Sequence, residues 1–261
     1  MRLMTTPDGI PFGLLGEKGE SPSPTVCLFS MNISYALESD FYTKFRRPLR
    51  NSGHLFVSLD LPGHGADQKE GDRPEVPNTN GAKSALYGWR LRMERGDSVI
   101  PAFTAKVSSV LDYLIAENYT DPRRVVAAGS SRGAFVAAHF AAADPRVKCV
   151  VCLSPVTNLP AVYEFKGMEN DPIVNSLALV NIADKLVGRP IWVSIGNNDQ
   201  RVSTDEAIAF TRKLVELSTT RGKVPNVELL VYSAEGHHCT PESLAQAAKW
   251  VKSALGKPVS L

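Results

Sequence analysis

The sequence predicts an α/β fold: a mostly parallel central sheet with an N-terminal antiparallel hairpin, helices on both faces and a small lid. Three observations predict it. Short runs that are apolar along their whole length, such as Thr25–Ser30 (TVCLFS), Arg124–Ala128 (RVVAA) and Pro190–Ile195 (PIWVSI), alternate with helical patterns, the signature of a parallel sheet covered on both faces. The length of 261 residues suits one α/β unit. Hydrophobic residues at 43% and charged residues at 21% describe a globular chain with little disorder. No repeat or linker divides the chain, so residues 1–261 read as a single domain, with residues 157–189 as a small lid insertion.

Each element follows from local pattern. Arg2–Leu15 reads as a hairpin turning at Pro7-Asp8-Gly9. Thr25–Ser30 is a buried strand, Tyr35–Arg50 a helix and His54–Asp60 (HLFVSLD) the next strand. A long polar stretch, Leu61–Asp97, follows. Ser98–Asn118 carries Val99, Ile100, Phe103, Val107, Val110, Leu111 and Leu114 at amphipathic-helix spacing. The remainder alternates strictly: strand Arg124–Ala128, helix Arg132–Ala143, strand Lys148–Leu153, helix Asn170–Val187, strand Pro190–Ile195, helix Thr204–Thr219, strand Val227–Tyr232 and helix Pro241–Ala254.

Composition excludes several classes. Twenty-nine Lys and Arg against 27 Asp and Glu give a net charge of +2, too balanced for nucleic-acid binding driven by overall charge. No apolar run reads as approaching the roughly 18 residues of a bilayer span; Gly133–Ala143 is interrupted by His139. The opening residues meet Asp8, Gly9 and Pro11 before any long hydrophobic segment, so no secretory signal, no membrane partner and a cytoplasmic location are expected. Four cysteines are too sparse for a disulfide scaffold. Cys149 and Cys152 form a C-x-x-C, but on a strand positions i and i+3 face opposite sides, which suits buried thiols rather than a metal or redox pair.

Ligands of such sheets bind beyond the carboxyl ends of the strands, so the residues following each strand carry the argument. After RVVAA comes Gly129-Ser130-Ser131-Arg132-Gly133, opening directly into a helix. This is G-x-S-x-G in its strand–turn–helix setting: the sharp turn lifts the Ser131 hydroxyl above the sheet, and glycines two residues to either side avoid collision. Serine needs a base to take its proton, and Gly236-His237-His238 follows the last strand; His237 is preferred, with His238 as competitor. The base needs a carboxylate to set its tautomer, and Asp199 is the one acid in Gly196–Val202. No metal or cofactor is called for, because no carboxylate or cysteine with ligand spacing converges on the two histidines.

Ser131, Asp199 and His237, each directly after a strand and in that order, make the chain resemble the α/β-hydrolase family. Asp60-Leu61-Pro62-Gly63-His64-Gly65 is similar to a D-x-P-G-H-G turn often found after an early central strand there, which makes His64 a structural loop residue. With Gly71–Val76 (GDRPEV) and Tyr87-Gly88-Trp89-Arg90, the resemblance is nearest to dienelactone-hydrolase-like and prolyl-peptidase-related esterases. Dienelactone hydrolases proper use a cysteine nucleophile, and dehalogenases and epoxide hydrolases an aspartate; Ser131 departs from all three. The resemblance implies a serine hydrolase of the carboxylesterase type acting on a small-molecule ester through an acyl-enzyme. Alternatives are a peptidase or thioesterase with the same triad, or a non-catalytic binding protein on this fold.

Such chemistry needs donors for the tetrahedral oxyanion. The backbone N–H of Arg132 is one. The second falls in the loop after TVCLFS, where relatives often carry His-Gly and this chain has Ser30-Met31-Asn32; the N–H of Met31, or of Asn32, takes that place. Tyr163, Phe165 and Met168 either line an acyl pocket or pack against the body. Tyr87, Trp89, Arg90, Arg92 and Glu94 either form a polar wall of the site or belong to a surface helix with an Arg90–Glu94 pair.

Overall fold

Phe12 and Leu14 face inward from the second strand of a short hairpin, β1 (Arg2–Thr5) and β2 (Pro11–Leu15), closed by the Thr6 hydroxyl accepting from the Ile10 N–H at 2.9 Å. From there the computed structural model describes residues 1–256; residues 257–261 of the expected domain lie outside the described residues. The succeeding elements are β3 (Ser23–Phe29), α1 (Ile33–Glu38), α2 (Thr43–Arg50), β4 (Leu55–Ser58), α3 (Ala85–Glu94) and α4 (Val99–Ala116). Then come β5 (Thr120–Ser130), α5 (Arg132–Ala143), β6 (Val147–Leu153), α6 (Pro172–Ser176), α7 (Leu179–Ile182), β7 (Ile191–Gly196), α8 (Thr204–Thr220), β8 (Val227–Tyr232) and α9 (Pro241–Gly256).

All eight strands join one sheet in the order β1-β2-β4-β3-β5-β6-β7-β8. The β1–β2 and β2–β4 pairs are antiparallel and the rest parallel. Alternation along the central strands splits the core in two. Cys27, Phe29, Val57, Ala127, Val150, Cys152 and Val193 pack under α3, α4, α5 and α8, while Val26, Leu28, Phe56, Val126, Ala128, Cys149 and Val151 pack under α1, α2 and α9. Each fully buried Val, Leu or Phe among them contributes about 1.5–3 kcal/mol, and the two layers fix the sheet from both sides. Cys149 and Cys152 thus lie in different cores, and burial pushes both thiols up to about 12.

Three elements differ from sequence expectation. The expected Tyr35–Arg50 helix is broken: Ser39 is extended (φ −60, ψ 147), Asp40–Tyr42 forms a 3-10 turn and α2 starts afresh at Thr43. The Ser39 side chain makes no capping bond at this break; its carbonyl accepts from the Arg46 guanidinium instead. The Asn170–Val187 helix is likewise a series of short turns. Asp171 caps α6 through the N–H groups of Ile173 and Val174, Ala178 is extended, and the Leu179 N–H goes to the Thr157 carbonyl at 2.8 Å instead of continuing the helix. Finally, α4 is long and apolar enough by composition to cross a bilayer, with a mean hydropathy of 1.4. Val99, Ile100, Phe103, Val107, Val110, Leu111 and Leu114 are buried in the core, so its apolar face is used by the sheet.

The order of strands sets the place for a site. From β3 the chain crosses to β4 on one side, while β5 pairs with β3 on the other, so the loops after β3 and β5 part at a topological switch point. Helix α5 approaches β3 so closely there that a Cβ on Gly133 would collide with the Phe29 carbonyl, and one on Gly129 with the Gly133 carbonyl. Gly133→Ala is therefore expected to destabilise the fold by about 3 kcal/mol, at the upper end of overpacking costs, read as a lowered urea midpoint.

Three of the histidines are buried: His54, His64 and His139. Burial lowers the pKa of each below the ordinary 6.5, to about 4 for His64 and His139. The unfolded chain then binds more protons than the folded one between those values, so stability falls as pH drops from about 6.5 toward about 4. Urea unfolding at stepped pH should show this loss. His139→Gln should flatten the slope by up to about 1.4 kcal/mol per pH unit.

Candidate active site

Ser131 sits between β5 and α5 with φ 54 and ψ −120, a left-handed conformation costly for a non-glycine residue. Surrounding backbone holds it there. Its N–H donates to the Leu153 carbonyl at the end of β6 (2.9 Å), and its carbonyl accepts from the N–H groups of Ala134 and Val156, both at 3.1 Å. Phe135, Val136 and Ala137 anchor α5 with no exposed surface. The strain is thus offset by packing, and the serine stands at the positive end of the following helix.

Asp199 follows β7 and is 2% exposed. One carboxylate oxygen accepts from the N–H groups of Arg201 (3.0 Å) and Val202 (3.2 Å); the other accepts from Nδ1 of His237 at 2.7 Å. Burial pushes the Asp199 pKa up, but the hydrogen bond and charge of His237 together with these N–H groups outweigh it and hold the carboxyl below its ordinary value. The carboxylate is therefore ionised near neutrality and fixes the Nδ1–H tautomer of His237, leaving Nε2 to exchange protons. Of the two histidines, His237 is the one bonded to Asp199.

Ser131 and His237 line one cavity of about 260 Å³, shared with Met31, Arg132, Ser154 and Arg201. Met31 lies at the β3 side of the switch point, where its carbonyl accepts from the Leu61 N–H at 3.1 Å. Asn32 does not line the cavity; its side chain caps α1 by accepting from the Tyr35 N–H at 2.8 Å. The Arg132 N–H opens the first turn of α5, one of the orphan donors of any helix start. Met31 and Arg132 thus line the Ser131 cavity from the two loops of the switch point.

The D-x-P-G-H-G turn is structural. Asp60 accepts from the N–H groups of Ile33 (2.8 Å) and Ala66 (2.7 Å), pinning α1 to this loop. His64 is bonded through Nδ1 to the Pro62 carbonyl and through Nε2 to the Arg132 guanidinium, each at 3.1 Å. Two residues overlooked in the sequence hold the His237 loop: the hydroxyls of Tyr232 (2.6 Å) and Ser154 (3.2 Å) both donate to the His238 carbonyl. Both stand at the carboxyl ends of strands, which is the signal that would have found them.

Other candidates pack elsewhere. Trp89 is buried, with its indole N–H on the Pro62 carbonyl; Arg90 pairs with Glu94 and Arg92 is bidentate on Asp72. Phe165 and Met168 belong to the core. Tyr163 is exposed, its ring 4.4 Å from the Arg201 guanidinium. Residues 157–189 pack chiefly against α3, α5 and α8, and among the described residues none of them lines the Ser131 cavity. Among the described residues no three metal-ligating side chains converge.

Comparison with known proteins agrees with this architecture. Residues 104–258 match the prolyl oligopeptidase family and residues 34–171 the alpha/beta hydrolase fold. The chain is 30% identical over 142 residues to the Esterase FrsA of Citrobacter koseri, covering 54% of this chain and 27% of that protein. With its Shigella boydii counterpart it is 29% identical over 171 residues, covering 64% and 34%. The chain thus spans about a quarter to a third of the length of these curated relatives. Among solved structures, a Thermus thermophilus protein shares the fold at a TM-score of 0.66 and 17% identity, over 99% of this chain and 100% of that one. A cold-adapted esterase from an Arctic intertidal metagenomic library shares it at 0.65 and 20%, over 94% and 88%. By its sheet order and both family matches, the chain belongs to the α/β-hydrolase family.

Proposed function

We propose that the protein is a serine hydrolase that cleaves carboxylic esters through an acyl-enzyme. The observation that carries this is the 2.7 Å Asp199–His237 bond placed on the same cavity as a serine held at positive φ. Ser131 Oγ attacks the ester carbonyl while its proton passes to His237 Nε2. The carbonyl oxygen becomes an oxyanion that accepts from the N–H groups of Arg132 and Met31. On collapse the C–O bond breaks, and the alcohol leaves with the proton from His237. Water then gives a proton to His237 and attacks the acyl carbon; the acid departs and Ser131 recovers its proton. Asp199 stays ionised throughout and stabilises the imidazolium formed in each half.

The named Esterase FrsA relatives favour an ester. The match of residues 104–258 to the prolyl oligopeptidase family supports a second reading, hydrolysis of a peptide amide by the same steps. Parallel assays with p-nitrophenyl esters and proline-containing peptides separate the two.

A fluorophosphonate probe is expected to label the native protein and not Ser131→Ala; equal labelling of both overturns the mechanism. With a p-nitrophenyl ester, Asp199→Asn should lower kcat by about 10³–10⁴-fold, since the wrong tautomer is then favoured. His237→Ala should lower it by at least as much, while His238→Ala should leave it within about tenfold.

A further inference from the structure

The wall of the Ser131 cavity is unevenly charged. Its side chains include two arginines, Arg132 and Arg201, and two histidines, but no carboxylate among the described residues. Asp199 stands behind His237, its charge taken up by that ring and two backbone N–H groups. Among the described residues Arg201 has one carboxylate partner, Glu164, reached end-on at 2.6 Å, and that oxygen also accepts from Ser84 at 2.6 Å. Arg132 is different. Its guanidinium bonds to the imidazole of His64, an uncharged acceptor at Nε2 because Nδ1 already faces a carbonyl.

Among the described residues no carboxylate touches the Arg132 guanidinium, and Glu164 acts on it only through space; a partly buried guanidinium so placed is electrostatically incomplete. Burial together with the charges of Arg201 and Arg73 lowers the Arg132 pKa to about 10, against the pull of Glu164; it remains charged at neutral pH. The planar donor fork of arginine matches a carboxylate better than any neutral group. Its backbone is adjacent to Ser131, so an anion bound there lies within one side-chain length of the acyl carbon.

We propose that Arg132, with Arg201 beside it, forms an anion subsite, and that the preferred substrates are short esters carrying a carboxylate close to the scissile carbonyl. This rests on the hydrolase reading for the position of that bond. His64 fixes the Arg132 side chain over the cavity, and Glu164 with Tyr163 fixes Arg201. The carboxylate can belong to the acyl part or to the alcohol, and two substrate series distinguish these.

The test compares monoethyl esters of four- to six-carbon dicarboxylic acids with neutral ethyl esters of equal length, by pH-stat, each rate corrected for hydroxide-catalysed hydrolysis. A second series compares acetylated hydroxy acids with acetylated alcohols. In at least one series the anionic ester should show kcat/KM about tenfold or more above its neutral match, the scale of a charge-assisted hydrogen bond. Arg132→Gln should collapse that ratio toward one, and Arg132→Lys should retain part of it. Calorimetric titration with adipate, an unreactive dianion, should show binding weakened about tenfold or more in Arg132→Gln.

Neutral esters hydrolysed as well as anionic ones in both series, or adipate binding equally to native and Arg132→Gln protein, overturns the subsite and leaves the hydrolase intact. Adipate binding that needs Arg132, in a protein whose Ser131 is never labelled and which turns over no ester, overturns the hydrolase and keeps the subsite.

Discussion

The close approach of α5 to β3 is the contact from which the rest of the site is measured. With no Cβ on Gly133, the helix rests directly on the Phe29 carbonyl, and the chain entering it from β5 must turn within one residue. That residue is Ser131, and its positive φ is the geometric consequence. The Leu153 carbonyl on one side and the N–H of Val156 on the other tie the turn to β6. Relaxing Ser131 to an ordinary conformation would therefore break contacts in three elements. A strained conformation persists where its surroundings over-determine it, and here they do so while keeping the hydroxyl on the cavity.

The Asp199–His237 pair is assembled by a different principle. Asp199 and His237 are on separate loops, and neither has a positive φ. Asp199 is held by the N–H groups of its own loop and by the Thr204 hydroxyl, which accepts from the Asp199 N–H and donates to the Gly196 carbonyl at 2.7 Å. The His237 loop is held one residue downstream, where Tyr232 and Ser154 grip the His238 carbonyl. Two anchors on either side of one imidazole restrict its rotation more than a single carboxylate bond would. Orientation of this kind accounts for much of what a fixed base contributes to catalysis.

How much of this could be read in advance depends on whether the cause is local. G-x-S-x-G declares its own turn, because both glycines answer to sterics within five residues, and apolar runs declare a parallel sheet. The order Ser131, Asp199, His237 is read from strand ends alone. By contrast, the Asn170–Val187 periodicity ran across Ala178, whose extended backbone is set by a tertiary bond from the next residue, Leu179, to Thr157. By residue type, Trp89 and Arg92 fit a polar wall of the site and a surface helix equally well. Their partners, the Pro62 carbonyl and Asp72, lie in the same long stretch, where sequence offers no register to pair them. Which of His237 and His238 meets Asp199 is a matter of distance, which residue order does not supply.

The pairing of Arg132 with His64 joins two motifs that sequence treats as separate. In D-x-P-G-H-G the histidine is commonly read by position, and in G-x-S-x-G the fourth residue is unconstrained. Their side chains meet at 3.1 Å, and the charge states follow from that meeting. Nδ1 of His64 faces a carbonyl, so it carries the proton, and Nε2 must accept. Protonating that ring would set an imidazolium against a guanidinium in a buried place, and burial with the Arg132 charge accordingly lowers the His64 pKa to about 4. A net charge of +2 over the chain says nothing of such local arrangements. What decides the character of the cavity is that the residue after Ser131 is a cation whose direct partner is neutral and on which Glu164 acts only through space.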